Sequence, residues 1–198
     1  MKNSTQPKEQ EHDTHLVILE AAERLFGQIG FQKTTVADIA HNLRMSPANV
    51  YRFFTSKAEI HEAVGRRLLS EIEDAVDDIV QRPGSASQKL RATIAAIEKA
   101  NAQRFHNDRK LHELVETAFN ENWPSVYEHG QRIEKSLTEI IAQGNRDGEL
   151  NAKESDVAAI LVRSACLRFS HPRLWVECAQ DPEPTVDQLV DFCLAALR

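Results

Sequence analysis

Apolar residues recur at spacings of three and four along nearly the whole chain, the pattern of amphipathic helices. Leu16, Leu19, Ala22, Phe26 and Ile29 form the first stripe. Asp13 or Thr14 can open that helix with a side-chain oxygen for the free amides of its first turn. Gly30 closes it, and Phe31 then folds back as an apolar plug. Residues 1–12 are polar and aperiodic and read as a disordered tail. Thr35 and Asp38 have capping-box spacing at the head of a short helix whose buried face is Val36, Ile39, Ala40 and Leu43. Ser46-Pro47 is an N-cap followed by proline at the first helical position, and it starts a short helix over 48–54. Ser56 and Glu59 form another capping box. It heads a long helix to about position 80 on Ile60, Ala63, Val64, Leu68, Ile72, Val76 and Ile79.

The run Arg82-Pro-Gly-Ser-Ala-Ser87 is a turn cluster and the joint between two halves. Beyond it the stripes predict helices over 87–105, 108–119 and 125–145, a helix over 155–170 capped by Ser155, and a last helix opened by Thr185. No strand pattern and no internal repeat is visible. The expected fold is all-α with about nine helices. It divides into a tail at 1–12, a helix-turn-helix unit at 13–64 and a larger helical body at 65–198.

Composition adds exclusions. The 198 residues are 41% hydrophobic and 27% charged, ordinary for a globular chain. No run approaches the roughly 18 apolar residues of a membrane helix, and the polar start has no signal-peptide core, so the expected location is the cytoplasm with no membrane partner. Cys166, Cys178 and Cys193 are odd in number and lack CxxC spacing, which argues against a disulfide framework and a four-cysteine zinc site. His106, His112, Glu116 and His129 read as hydrated helix faces and not as a metal site. There is no GxSxG, HExxH or phosphate loop. The expectation is therefore no enzyme, no catalytic residue, no metal and no cofactor.

The net charge of -6 at first opposes a nucleic-acid partner. Its distribution reverses that. Residues 1–70 carry nine Lys/Arg against eight Asp/Glu, so the acidity belongs to 71–198. Over 33–57, Lys33, Arg44, Arg52 and Lys57 face Asp38 alone, a local balance of +3. DNA binding follows the local field and not the total.

That basic stretch coincides with a helix of about nine residues, a turn and a helix of about eight, the layout of a helix-turn-helix. On the second helix Ala48, Asn49 and Arg52 lie off the apolar face. A small Ala48 allows close approach to bases. Asn49 suits adenine, and Arg52 suits guanine or a phosphate. Tyr51 offers a hydroxyl to a phosphate. Lys57 joins its ammonium to the free amides of the next helix start. Thr35, besides capping, could donate to a phosphate, and Lys33 and Arg44 flank the motif within phosphate reach.

The run 34–60 resembles the DNA-binding domain of the TetR family of transcriptional regulators (TetR/AcrR type). The resemblance rests on Gly30-Phe31, Thr34-Thr35, Ile39-Ala40, Tyr51, Phe53-Phe54, Lys57 and Ile60, in order and at family spacing. It covers about a quarter of the chain. Two positions depart from it: the turn Leu43-Arg44-Met45-Ser46 has no glycine, and Phe53 stands where a His or Tyr is common.

The resemblance implies a homodimeric repressor of palindromic double-stranded operator DNA, released by a small-molecule effector. Its dimer would join the last two helices of each subunit; Leu161, Ala165, Phe169, Leu189, Phe192 and Ala196 are the expected interface. Its ligand would sit in the helical body, where Phe105, His112, Val115, Glu116, Phe119, Trp123 and Tyr127 are the candidate lining. Cys166 and Cys193 lie on apolar faces and read as buried thiols. Competing readings are a regulator of the same fold that activates or senses no ligand, and a helical interaction module that binds no DNA.

Overall fold

Helix α1 (Gln6–Ile29) begins well ahead of its apolar stripe. The computed structural model describes residues 6–178 and 184–198, so positions 1–5 of the expected tail lie outside it, while 6–12 continue the helix. Gln, Lys and Glu are good helix formers, and Pro7 falls in the first turn, where its missing amide costs nothing. This start corrects the one read at Asp13 or Thr14.

Two short helices follow, α2 (Val36–Asn42) and α3 (Pro47–Val50). Thr35 closes a full capping box with Asp38, and Ser46 accepts from the Asn49 amide. α3 is a single α-turn. Beyond it the chain tightens, with Arg52 N bonding Asn49 O and Phe53 N bonding Val50 O. The expected helix over 48–54 is therefore half α-helix and half turn. α4 (Lys57–Gln81) starts at the Ser56 cap, but the Glu59 carboxylate reaches past Ser56 to the amide and hydroxyl of Thr55, at 2.5 and 2.7 Å.

The body consists of α5 (Ala86–Asn107), α6 (Arg109–Asn120), α7 (Pro124–Arg146), α8 (Ser155–Ala165), α9 (Leu167–Ser170), α10 (Pro172–Glu177) and α11 (Val186–Ala196). Among the described residues there are eleven helices and no strand. The two beyond the expected nine are short. The predicted 155–170 helix divides at Cys166, and one and a half turns form after His171-Pro172. Ser155 does not cap α8; its hydroxyl accepts from Asn145 Nδ2 instead. The start of α5 is capped twice, locally by the Ser85–Gln88 box and from afar by Glu149, whose carboxylate accepts from the Ala86 and Ser87 amides at 2.8 and 3.1 Å.

Buried side chains form two clusters. One gathers Phe26, Ile39, Val50, Phe54, Ile60 and Val64 under the short helices. The other gathers Leu90, Ile94, Leu137, Ile140, Val162, Val190 and Cys193 in the body. α4 belongs to both. Its Leu68 and Leu69 face the first and its Ile72 and Val76 the second. α6, expected wholly in the body, lends Leu111, Leu114 and Val115 to the first cluster. The helix-turn-helix unit is thus seated on α4 and α6 together.

Candidate functional sites

The expected DNA-reading residues fall on one side of α2 and α3. Apolar Val50 and Phe54 are buried, which turns Ala48, Tyr51 and Arg52 outward; Tyr51 is 50% exposed. Asn49 is half-buried beside them. Its amide nitrogen contacts Met45 Sδ at 3.7 Å and its oxygen accepts from Arg52 Nη1 at 3.4 Å. Arg52 also lies 6.0 Å from the Phe53 ring centroid, so Phe53 supports the guanidinium. Lys33 and Arg44 are exposed at the edges of this face.

Two expected contacts already have partners. The Thr35 hydroxyl donates to Asp38 Oδ2 at 2.7 Å while accepting from the Asp38 amide. Its one proton is spent, so contact with a phosphate would have to displace Asp38. Hydrogen bonds from the Thr35 hydroxyl and amide hold the Asp38 carboxyl below its ordinary range. Lys57 Nζ donates to the Gln32 carbonyl at 2.8 Å, which ties the head of α4 to the loop before α2. An ammonium has two further donors to offer. Arg44 takes φ +54° at the turn between the short helices. The position where the sequence lacks a glycine is the one where the backbone is left-handed.

A small cavity of about 80 Å³ lies between α5, α6, α7, α8 and α9. Of the seven residues expected to line a ligand site, Phe119 borders it. Trp123 and Tyr127 border an open groove on the outer side of α7, which shares Val126, Gly130 and Arg163 with the cavity. Tyr127 is 70% exposed. Val115 is packed into the first core. Phe105 and His112 pack edge to face on one another, ring centroids 5.1 Å apart, and burial pushes the His112 pKa down. Glu116 is half-buried on α6 beyond that pair.

The polar residues that do reach the cavity are His129, Arg163 and Ser170, none expected from the sequence. Behind His129 stands Glu73, a carboxylate 2% exposed, which takes hydrogen bonds from His129 Nδ1 at 2.9 Å and Arg132 Nη1 at 2.8 Å. A glutamate beside Ile72 on the buried face of α4 was the signal available, because a buried carboxylate must find a partner. Among the described residues no cluster of three or more His, Cys, Asp or Glu is arranged to hold a metal. Cys166 and Cys193 are buried. Burial, aided by the nearby Cys193, pushes the Cys166 thiol up to about 12, and burial raises Cys193 as well.

The six expected interface residues divide. Leu161, Ala165, Phe192 and Ala196 border an open apolar groove between α8 and α11, with Leu161 64% and Phe192 68% exposed. Leu189 is buried in the body, and Phe169 packs against the same core. Val157 borders the groove, and Ile160 stands exposed beside it on α8.

Comparisons with known proteins agree with this architecture. Residues 18–64 match the family model of the bacterial regulatory proteins of the tetR family. Residues 86–190 match that of the tetracyclin repressor-like C-terminal domain. The transcriptional regulator TtgR of Pseudomonas putida is 26% identical over 167 residues, 76% of this chain and 77% of that one. A TetR-family regulator from Pectobacterium atrosepticum has a similar structure, with a TM-score of 0.70 at 15% identity over 95% of this chain and 92% of that one. FadR of Bacillus subtilis in complex with stearoyl-CoA gives a TM-score of 0.63 at 16% identity, covering 92% and 96% of the two chains.

Proposed function

The chain belongs to the TetR family of transcriptional regulators and is not an enzyme, and from that premise we propose that it is a homodimeric repressor of palindromic operator DNA that a small molecule releases. The observation that carries this reading is the outward face of α3. A small residue, an amide, a phenol and a guanidinium stand together on α3 and the turn after it, with Ala48, Tyr51 and Arg52 exposed and Asn49 half-buried beside them. Phosphate contacts from Tyr51, Lys57, Lys33 and Arg44 would set the register, while Asn49 and Arg52 read base edges. The exposed apolar groove of α8 and α11 suits a second copy. A two-fold dimer spaces its recognition helices about 34–36 Å apart, one turn of duplex. The ligand acts by linkage, favouring a spacing that fits the operator less well. Such a protein works in the cytoplasm, where the DNA is.

Fluorescence anisotropy with a duplex from the region upstream of the chain's own reading frame tests this. Tyr51→Ala is expected to weaken binding at least tenfold on every sequence, and Arg52→Ala to relax base preference. Binding by both variants equal to the unmodified protein would remove α3 from the interface. Salt is the second arm, since affinity for phosphates falls steeply between 50 and 200 mM and a pure protein-interaction module shows no such binding.

A further inference from the structure

Arg52 stands exposed in the turn after α3, on the face it shares with Ala48 and Tyr51. Two neighbours hold it. Its Nη1 donates to Asn49 Oδ1 at 3.4 Å, and its guanidinium carbon lies over the Phe53 ring, 6.0 Å from the centroid. The ring itself has a firm seat. Phe53 is half-buried and packs against the first core, and its amide bonds the Val50 carbonyl at 3.0 Å. Among the described residues no carboxylate pairs with Arg52.

The two contacts differ in kind. The hydrogen bond uses an edge of the guanidinium, where the N–H groups lie, and at 3.4 Å it is long and easily exchanged. Arg24 shows the contrast, because its bond to Asn42 Oδ1 is 2.6 Å and fastens α1 to α2. An aromatic ring meets the cation through its face and uses no N–H. Guanine takes the edge, through O6 and N7. Docking on guanine therefore replaces the Asn49 bond and leaves the ring contact in place. Asn49 regains its oxygen for a base edge at the same moment.

We propose that Phe53 is a specificity-determining residue that touches no base: its ring holds the Arg52 guanidinium by the face and so sets how strongly the protein prefers guanine where Arg52 reads. The proposal rests on the reading of α3 as the DNA-reading element and names the base and the residue that positions its reader. A long arginine loses rotamer freedom when it binds, and a plane set in advance reduces that loss. An untethered arginine would also swing to a phosphate, which every sequence offers. A held plane favours the base with two acceptors along one edge; adenine puts the N6 donor where guanine has O6. Phe53 has no hydrogen-bonding group, so it takes none of the donors that guanine needs.

Selection from a randomised duplex pool with the full chain, followed by fluorescence anisotropy on the selected duplex, tests the assignment. The guanine whose enrichment Arg52→Ala abolishes is changed to adenine in one half-site. The unmodified protein is expected to discriminate against this change by about tenfold or more. Phe53→Leu keeps an apolar group on the core and is expected to lower the ratio about threefold, with low-salt binding to unrelated duplex unchanged. Phe53→Met is the second variant, and thermal melting checks the fold of both. Phe53→Tyr keeps the ring face and is expected to keep the ratio. In the Arg52→Ala background Phe53→Leu is expected to change nothing further, because a residue acting through Arg52 has nothing left to act on. An unchanged ratio in both ring-less variants, an equal loss of affinity on every sequence, a ratio lost in Phe53→Tyr, or the same loss with and without Arg52 overturns the proposal. If guanine enrichment depends on Arg52 while the ring-less variants keep the ratio, the positioning role is wrong and the base reading stands. If no guanine position depends on Arg52, the reading beneath has failed and the proposal with it.

Discussion

His129 on α7 holds Glu73 on α4 through a 2.9 Å contact between Nδ1 and Oε1. The two are 56 residues apart in the chain. The contact joins a wall of the cavity to α4, whose buried residues belong to both cores. Glu73 lies on the same helix as Lys57 and Ile60, and Ile60 is buried in the core under the short helices. Packed interfaces of this kind change by discrete steps and not by smooth deformation.

The same carboxylate sets an acid limit on stability. Burial by itself raises the Glu73 pKa, but hydrogen bonds and charge from His129 and Arg132 outweigh it and hold the group below its ordinary value. A folded value below the unfolded one, about 4.3, means the contribution is complete above that pH and fades as the pH drops through the folded value. Charge-assisted bonds contribute about 1.5–3 kcal/mol, and exposure of Arg132 reduces this. Glu73→Gln is expected to cost about 1–2 kcal/mol at pH 7 and progressively less as the pH falls below about 4, read by urea unfolding along a pH series. A cost that does not change with pH would show that the charge is immaterial.

Arg44 carries a strained backbone for the helix-turn-helix. Its φ of +54° costs a non-glycine residue about 1–2 kcal/mol, against which glycine loses about 0.5–1 kcal/mol to unfolded-state freedom. Arg44→Gly is expected to raise Tm by roughly 1–4 °C for a chain of this size. It should also lower the salt dependence of DNA binding by about one phosphate contact. A lower Tm would mean that the arginine side chain stabilises the turn.

The groove of α8 and α11 predicts an oligomeric state that one charge abolishes. Leu161→Glu places a carboxylate at the groove's exposed rim without touching the buried cluster. Sedimentation velocity at about 10 µM is expected to change from dimer to monomer, with far-ultraviolet circular dichroism unchanged, because an unpaired charge at an interface costs several kcal/mol. A dimer persisting in both Leu161→Glu and Phe192→Ser would move the interface elsewhere.

Two glycines are expected to respond in opposite directions to the same substitution. At Gly144 a Cβ would lie 2.6 Å from Leu150 and 2.8 Å from Ala86, so Gly144→Ala should cost about 1–3 kcal/mol through overpacking. At Gly27, inside α1, a Cβ would meet Leu111 at an ordinary 3.8 Å. Gly27→Ala should therefore add up to about 1 kcal/mol of helix propensity. Thermal melting of the pair reads both signs.

Most of the helices, the Thr35, Ser46 and Thr185 caps and the helix-turn-helix spacing were legible in the sequence. So was the outward face of α3 and the turn after it, because Val50, Phe53 and Phe54 are apolar while Asn49, Tyr51 and Arg52 carry polar groups. All of these depend on interactions within about four residues, which a linear pattern records directly. Other features depended on which apolar face meets which. The stripe of α6 announced a buried face but not that its Leu111 and Val115 belong under the DNA-reading helices. Leu189 and Phe192 share one short helix, and only its docking on α5 decided that the first is covered and the second is bare. Glu149 capping α5, Glu73 holding His129 and Arg163 lining the cavity join residues tens of positions apart. Local periodicity determined what each helix must bury, and the long-range packing decided against whom, which is where the cavity and its polar groups arise.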